Sequence, residues 1–464
     1  MLSKPRNMST EHPLSALPVT LAQPSSAHTA RPAKHERIPY RASIGLALLR
    51  RARLGCLILR DPSGEEHRFG RQEPPAGATS EAEPALWILR DWSVFDRALT
   101  RGDVGFGECW MEGLWDSPDP AAVLRFMLMN RESLDQGIYG TWIGQWVDRL
   151  RHLLRRNSRS GSRRNIQAHY DLGNDFYRLW LDPSMTYSSA MRSAHADEQR
   201  GSSSEHAQSK DGCKLAPCVV PIDALEIAQH RKYETILDAL ALAPGSSVLE
   251  IGCGWGGFAL RARRRDLHMK CLTLSSEQLR YAQELHQVEQ TRQGSGFGSA
   301  RFCLQDYRDE QDHYDGIVSI EMFEAVGEAY WDSYFARIRH CLKPGAKAVI
   351  QSITIDEKYF QRYRAGTDFI QQYIFPGGML PSPERLIAVA HAQGLKLCDS
   401  LRFGADYAWT LARWHERFIA ADAQVRALGY DERFIRMWRF YLAYCEAGFA
   451  EGGTDVMQFS FTRA

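Results

Sequence analysis

A chain of 464 residues that is 44% hydrophobic and 24% charged can bury a large core in two or three globular units, which excludes a fibre, a repeat array or a disordered chain. Its 57 basic and 56 acidic residues leave a net charge of +1, so overall charge supplies no attraction to nucleic acid and any basic surface is local. The ten cysteines are scattered, and the close pair Cys213 and Cys218 lacks zinc-ligand spacing, which predicts no metal site and fits a reducing cytoplasm.

In chain order, residues 1–35 are rich in Ser, Pro, Ala and Thr without apolar period and read as a disordered tail. Residues 36–135 read as a small α+β domain: Gly55-Cys56-Leu57-Ile58-Leu59-Arg60 runs into the turn Asp61-Pro62-Ser63-Gly64, and Trp87-Ile88-Leu89 follows as a further strand. Over 136–164, Trp142, Ile143, Trp146, Val147, Leu150, Leu153 and Leu154 share one helical face beside a run of arginines. Such a basic amphipathic helix suits either an anionic membrane surface or the space between two domains. No apolar run reaches the roughly 18 residues of a membrane helix, so the expected membrane contact is peripheral and the expected location cytoplasmic. Residues 165–464 alternate strands and helices, interrupted by a polar, flexible insertion at 195–215.

The strongest local signal is Ser247-Val248-Leu249-Glu250-Ile251-Gly252-Cys253-Gly254-Trp255-Gly256-Gly257-Phe258, an apolar strand entering a glycine turn and then a helix, where backbone approaches a ligand and helix N–H groups face it. The glycine spacing alone also suits a dinucleotide. Three features favour S-adenosylmethionine. Glu250 can orient the loop and the methionine part of the ligand. The next strand ends in Thr273-Leu274-Ser275-Ser276-Glu277-Gln278 without the acid a nicotinamide ribose requires, although Ser275 and Gln278 also have the spacing of a simple helix start. The third strand leads into Gln305-Asp306-Tyr307, where a carboxylate can accept the adenine amino group. A fourth strand, Tyr314 to Ile320, precedes Glu321-Met322-Phe323-Glu324, and the order predicts an α/β, Rossmann-like methyltransferase domain with a parallel sheet.

From Asn165-Ile166-Gln167-Ala168-His169-Tyr170-Asp171-Leu172-Gly173-Asn174 through Met185-Thr186-Tyr187-Ser188-Ser189-Ala190, the glycine loop, Met322-Phe323-Glu324, Tyr373-Ile374-Phe375-Pro376-Gly377-Gly378 and Gly404-Ala405-Asp406-Tyr407, the chain resembles the cyclopropane fatty acid synthase family. Residues 38–134, with Gly102-Asp103-Val104-Gly105-Phe106-Gly107-Glu108, resemble the small N-terminal domain of its longer members, which implies lipid binding and homodimer contacts. The resemblance implies methyl(ene) transfer from S-adenosylmethionine to the double bond of an unsaturated phospholipid acyl chain. It implies cofactor contacts at Tyr187, Ser188, Glu250, Gly252, Cys253, Gly254, Trp255, Gly256, Thr273, Leu274, Gln278, Gln305 and Asp306, with His169 and Tyr170 helping to close the pocket. An alkene is a weak nucleophile and its attack leaves a carbocation, so the site must be dry, stabilise positive charge and remove one proton. For that proton the resemblance implies a bound bicarbonate, held by Ser189 through its backbone, Glu324, Gln351, Ile353 through its backbone, and Tyr407. Ser189 stands at a cysteine position and Gln351 at a histidine position, so a product that stops at a methyl-branched or methylene chain is the alternative to a ring. Cys445 matches a cysteine of the family, although the chemistry needs no thiol and a buried structural cysteine is the plainer reading. The aromatics from Phe369 to Phe375 and Trp409 to Tyr444 suit either an acyl tunnel or ordinary core. A methyltransferase for another lipid, or a lipid-binding protein without catalysis, are the competing readings.

Overall fold

The computed structural model describes residues 38–71, 83–138, 172–192, 224–293 and 297–463. The 1–35 tail, the tryptophan-bearing basic segment beyond 138, His169 with Tyr170 and the 195–215 insertion lie outside the described residues.

Four short strands open the chain. β1 (Cys56–Arg60) and β2 (Glu66–Gly70) form an antiparallel hairpin, β3 (Ala85–Leu89) runs parallel to β1, and β4 (Trp115–Asp116) closes the sheet antiparallel to β3. In the hairpin turn Asp61 accepts hydrogen bonds from the backbone of Ser63 and Glu65, so its carboxylate replaces the turn's missing backbone partners. Strand β3 alternates as a half-buried strand should, with Ala85, Trp87 and Leu89 inward. The helix Ser93–Met111 is kinked at Gly102, whose φ of 59° a side chain would resist. Beyond the kink every residue from Val104 to Met111 is buried. Close approach is needed there: a Cβ on Gly107 would lie 2.5 Å from the ring of Phe369.

The second sheet has seven strands in the order β10-β11-β9-β8-β5-β6-β7. They are β5 (Ser247–Ile251), β6 (His268–Thr273), β7 (Ala300–Leu304), β8 (Tyr314–Ile320), β9 (Leu342–Ile355), β10 (Leu395–Arg402) and β11 (Thr454–Arg463). The predicted strands that begin at Ser247, end at Thr273, lead into Gln305 and run from Tyr314 to Ile320 are β5 to β8. The expected parallel sheet is confined to β5 through β9; β11 pairs antiparallel with β9, and β10 antiparallel with β11. Among the parallel strands chain order runs outward in both directions from the β5–β8 pair, through β6 and β7 on one side and β9 on the other, which makes that pair the switch point where the strand ends of an α/β sheet leave a crevice.

The strands of the seven-stranded sheet pack in two apolar clusters of their own, around Leu249, Ile317 and Phe459 on one side and Val248, Cys271 and Val318 on the other, whereas the small sheet shares its core with helices of the second unit. One apolar cluster contains Trp87, Trp110 and Trp115 from the small sheet and its helix together with Trp414, Trp438 and Phe440 from the helices Gly404–Ala420 and Glu432–Ala450. At that seam Trp110 Nε1 donates to the Arg436 carbonyl at 2.7 Å, and Arg436 pairs with Asp116 at 2.9 Å.

Candidate active site

A cavity of about 350 Å³ opens at the C-terminal ends of β5, β6 and β8. Its first end is the glycine loop. Gly252, Gly254 and Gly256 all take positive φ, at 83°, 51° and 86°. A Cβ at Gly254 would meet nothing within 4 Å, so that backbone faces open cavity. Gly256 is different: a Cβ there would lie 3.1 Å from Ala282, and its carbonyl accepts from His286. Gly256 does not line the cavity and serves helix packing, a correction to its predicted cofactor contact. Each of the other predicted contacts, Tyr187, Ser188, Glu250, Gly252, Cys253, Gly254, Trp255, Thr273, Leu274, Gln278, Gln305 and Asp306, lines the cavity.

Glu250 is buried, and its Oε2 has no hydrogen-bond partner. Burial pushes its carboxyl up to about 8, opposed by a hydrogen bond with Cys271 and the charge of Lys232. Ser275 caps the helix Ser276–Gln293 by accepting from the Gln278 N–H at 3.3 Å, whereas the Gln278 side chain turns away from a capping box and accepts from Thr273 Oγ1 at 3.0 Å. Asp306 accepts from the guanidinium of Arg308, which leaves it a fixed anion at the rim. Trp255 Nε1 donates to Asn174 at 2.7 Å, tying the glycine loop to the short helix Asn174–Arg178. A buried carboxyl group with one oxygen unpartnered, open backbone at Gly254 and a loop of left-handed glycines fit the amino-acid part of S-adenosylmethionine.

The other end is assembled from distant segments. Leu411, Phe375, Ile370, Tyr441, Tyr444 and Phe449 line an apolar arm, whereas Trp414, Trp438 and Phe440 are fully buried core. The aromatic segments therefore divide between tunnel and core. Asp103 of the kinked helix accepts from the Tyr444 hydroxyl at 2.6 Å and the Phe369 N–H at 3.2 Å, so the small domain braces the arm's wall. Cys445 also lines the cavity, but burial pushes its thiol well up and leaves it neutral.

Where the cofactor end meets the apolar arm stand two buried carboxylates. Glu321, one residue beyond β8, lines the cavity and has a φ of 48°, rare for a side-chain-bearing residue. Its Oε1 accepts from the Ser189 N–H and from Gln351 Nε2, both at 2.8 Å, and its Oε2 accepts from the Tyr407 hydroxyl at 2.7 Å. Gln458 Nε2 donates to Gln351 Oε1 at 3.1 Å, which fixes the amide so that its NH₂ faces Glu321. Gln458 and Gln351 are register partners on β11 and β9, so the donor row crosses the sheet. Ser189 and Gln351 do not themselves line the cavity; Glu321 stands between them and it. This corrects their predicted place as direct ligands of a bound anion.

Glu324 lines the cavity, and its Oε1 accepts from the Ile353 N–H and from Ser352 Oγ, while its Oε2 is buried without a partner. Burial, and next the charge of Glu321, push Glu324 up to about 8, so at neutral pH it carries its proton. Three donors converge on Glu321, the arrangement that suits a carboxylate anion. Burial raises the Glu321 carboxyl as well, and the charge of Lys232, then the hydrogen bonds from Ser189, Tyr407 and Gln351, oppose that rise without reversing it. Lys232 is fully buried and touches Ser188 Oγ; burial pulls its ammonium down to about 7 against the charges of Glu321, Asp182 and Glu250. Neither Glu321 nor Lys232 emerged as a candidate from sequence. A carboxylate at the tip of the strand beside the switch point was the available signal for Glu321.

The loop carrying Ser189 is held by Asp406, which accepts from the Arg192 N–H at 3.0 Å and Nε at 2.7 Å, and by Thr410, which accepts from the Ala190 N–H at 3.1 Å. The donors around Glu321 are thus fixed from several elements, and a site meant for bicarbonate is already filled by this side chain. The residues present do not fit a bound bicarbonate.

Residues 157–459 match the family model described as mycolic acid cyclopropane synthetase. The chain is 37% identical over 390 residues to the tuberculostearic acid methyltransferase UfaA1 of Mycobacterium tuberculosis, covering 83% of this chain and 85% of that one. It is 35% identical over 392 residues to the cyclopropane-fatty-acyl-phospholipid synthase of Escherichia coli, covering 83% and 90%. The crystal structure of mycolic acid cyclopropane synthase CmaA1, complexed with SAH and CTAB, superposes with a TM-score of 0.54 at 30% identity, covering 65% of this chain and 98% of that one.

Proposed function

This chain belongs to the mycolic acid cyclopropane synthetase family of S-adenosylmethionine-dependent methyltransferases, and on that premise we propose that its acceptor is the double bond of an unsaturated phospholipid acyl chain, with a cyclopropane fatty acid as product. The observation that carries this reading is one continuous cavity, running from the glycine loop past a buried carboxylate into an apolar arm. S-adenosylmethionine supplies an electrophilic methyl on a sulfonium. Gly254, Glu250 and the Thr273–Gln278 pair would hold it at one end, while Leu411, Phe375 and Tyr441 exclude water around the acyl chain at the other. Glu321 and the rings of Tyr407 and Tyr441 line the place where a cation forms, and a fixed anion and aromatic faces both favour positive charge.

A methyl-branched or methylene product is the second reading. Gln351 at the histidine position and the methyltransferase named among the relatives favour it. Contact with an anionic membrane surface belongs to the same proposal, supported by the basic, tryptophan-bearing sequence 136–164. Among the described residues no helix is long and apolar enough to cross a membrane.

The test is incubation with vesicles of unsaturated phospholipid and S-adenosylmethionine, followed by mass spectrometry and NMR of the acyl chains. A gain of one CH₂ on the unsaturated chain is expected, with NMR separating ring from branch. Methyl transfer to the headgroup, or none to any unsaturated chain, overturns the reading.

A further inference from the structure

We propose that the carboxylate of Glu321, rather than a bound bicarbonate, takes the proton that the newly added methyl group loses. The inference rests on the acyl-alkene reading above and assigns its base. Its ground is a disagreement between this chain and the anion site its resemblance implies. Three of the donors expected to hold that anion, the Ser189 N–H, Gln351 Nε2 and the Tyr407 hydroxyl, already converge on Glu321 at 2.8, 2.8 and 2.7 Å. The fourth, the Ile353 N–H, is given to Glu324. Each donor group of the set is thus engaged by a carboxylate of the chain itself, and the carboxylate that replaces the free anion lines the cavity while two of its donors do not.

The geometry also says which oxygen reacts. Oε1 accepts two hydrogen bonds and Oε2 one, so Oε2 retains the free acceptor position. In the proposed step a C–H bond of the added methyl breaks and its proton forms an O–H bond on Glu321. The electron pair left behind closes a carbon–carbon bond to the cationic carbon, and charge is conserved because carboxylate and cation are neutralised together. After a prior hydride shift the same proton loss yields a methylene instead of a ring. Neither outcome needs a further reactant. Glu324, protonated beside it, cannot compete for the proton, and the Glu321 backbone is held at its positive φ by its own N–H bond to the Gln351 carbonyl at 2.8 Å.

The test measures S-adenosylhomocysteine formation on unsaturated phospholipid vesicles in CO₂-free buffer, with bicarbonate then restored, for wild type, Glu321→Gln and Glu321→Gly. Gln accepts the same two donors on its oxygen and lets the Tyr407 hydroxyl turn to accept, so S-adenosylmethionine binding by calorimetry is expected to be kept. Wild type is expected to ignore bicarbonate, and Glu321→Gln to lose at least about 100-fold in turnover, as loss of a general base does. Glycine relieves the positive φ and leaves an anion-sized space among the three donors, so added bicarbonate is expected to restore part of the Glu321→Gly rate. Wild-type turnover that collapses without bicarbonate overturns the proposal, as does Glu321→Gln at near wild-type rate, or a Glu321→Gly enzyme that binds S-adenosylmethionine yet stays silent with bicarbonate. A wild type with no turnover on any unsaturated lipid overturns the acyl-alkene reading itself, which the other outcomes leave standing.

Discussion

The two ends of the cavity are built in opposite ways. The cofactor end is made by short stretches of chain, Glu250 to Trp255 and Thr273 to Gln278, in which each residue's role follows from its neighbours: left-handed glycines, a strand tip, a helix start. The acceptor end brings Ser189, Glu321, Gln351 and Tyr407 together across more than two hundred positions of sequence. A local site tolerates change around it as long as its own backbone survives. An assembled site concentrates its chemistry on the one side chain where the elements meet, which here is Glu321.

The largest expected effects fall one at each end, and they separate binding from turnover. Gly254→Val places a branched side chain where backbone faces open cavity and at a φ of 51°, so S-adenosylmethionine affinity is expected to drop by at least about 100-fold by calorimetry, beyond the strain cost of the backbone alone. Glu321→Gln is expected to cost as much in turnover while leaving that affinity intact. If both variants lose binding equally, the ends are not separable and the comparison fails.

Tyr407→Phe removes one donor to Glu321 Oε2 and keeps the ring, so a loss of about tenfold in turnover is expected, the usual weight of one hydrogen bond to a buried charge. A loss as large as that of Glu321→Gln would make the tyrosine, rather than the carboxylate, the reacting group.

The smaller effects concern Glu324 and Cys445. Because Glu324 already carries its proton at neutral pH, Glu324→Gln is expected to change turnover at pH 7 by less than about threefold, a neutral group replacing a neutral one. Its signature lies in pH. A carboxyl raised in the folded state from 4.5 to about 8 favours its protonated form on folding, so wild type loses stability as pH rises across that window. Glu324→Gln lacks this ionisation, and its Tm relative to wild type is expected to climb from acid to alkaline pH. A flat difference, or a turnover loss beyond tenfold, restores the fixed charge to Glu324. Cys445→Ala, at a neutral buried thiol, is expected to leave the rate within about twofold, since the reaction uses no thiolate.

Legibility followed the same division. Strands β5 to β8, the glycine loop and nearly all the residues that line its end of the cavity were readable because apolar runs, glycines and helix starts are signals within a dozen residues. Gly256 was misassigned because its spacing is that of a ligand glycine, whereas its neighbours Ala282 and His286 come from a later helix. Glu324 drew attention from Glu321 because both stand in one short segment, and only the register of β8 with β9 and of β9 with β11 decides which faces Gln351. The antiparallel β10 and β11 were not read for the same reason, since their pairing with β9 is long-range. Lys232 gives no local sign at all: it is one lysine on a helix, buried by the Ser188 loop and by carboxylates from three other segments.

The central claim, that an acyl alkene is methylated and that the added methyl then yields a proton to the protein, can be read in one product. With S-adenosylmethionine bearing a trideuterated methyl group and unsaturated phospholipid vesicles, mass spectrometry of the acyl chain is predicted to show gain of a CD₂ unit, one deuterium having been given up. An acyl chain that keeps all three deuteriums, or label found only outside the acyl chain, contradicts it.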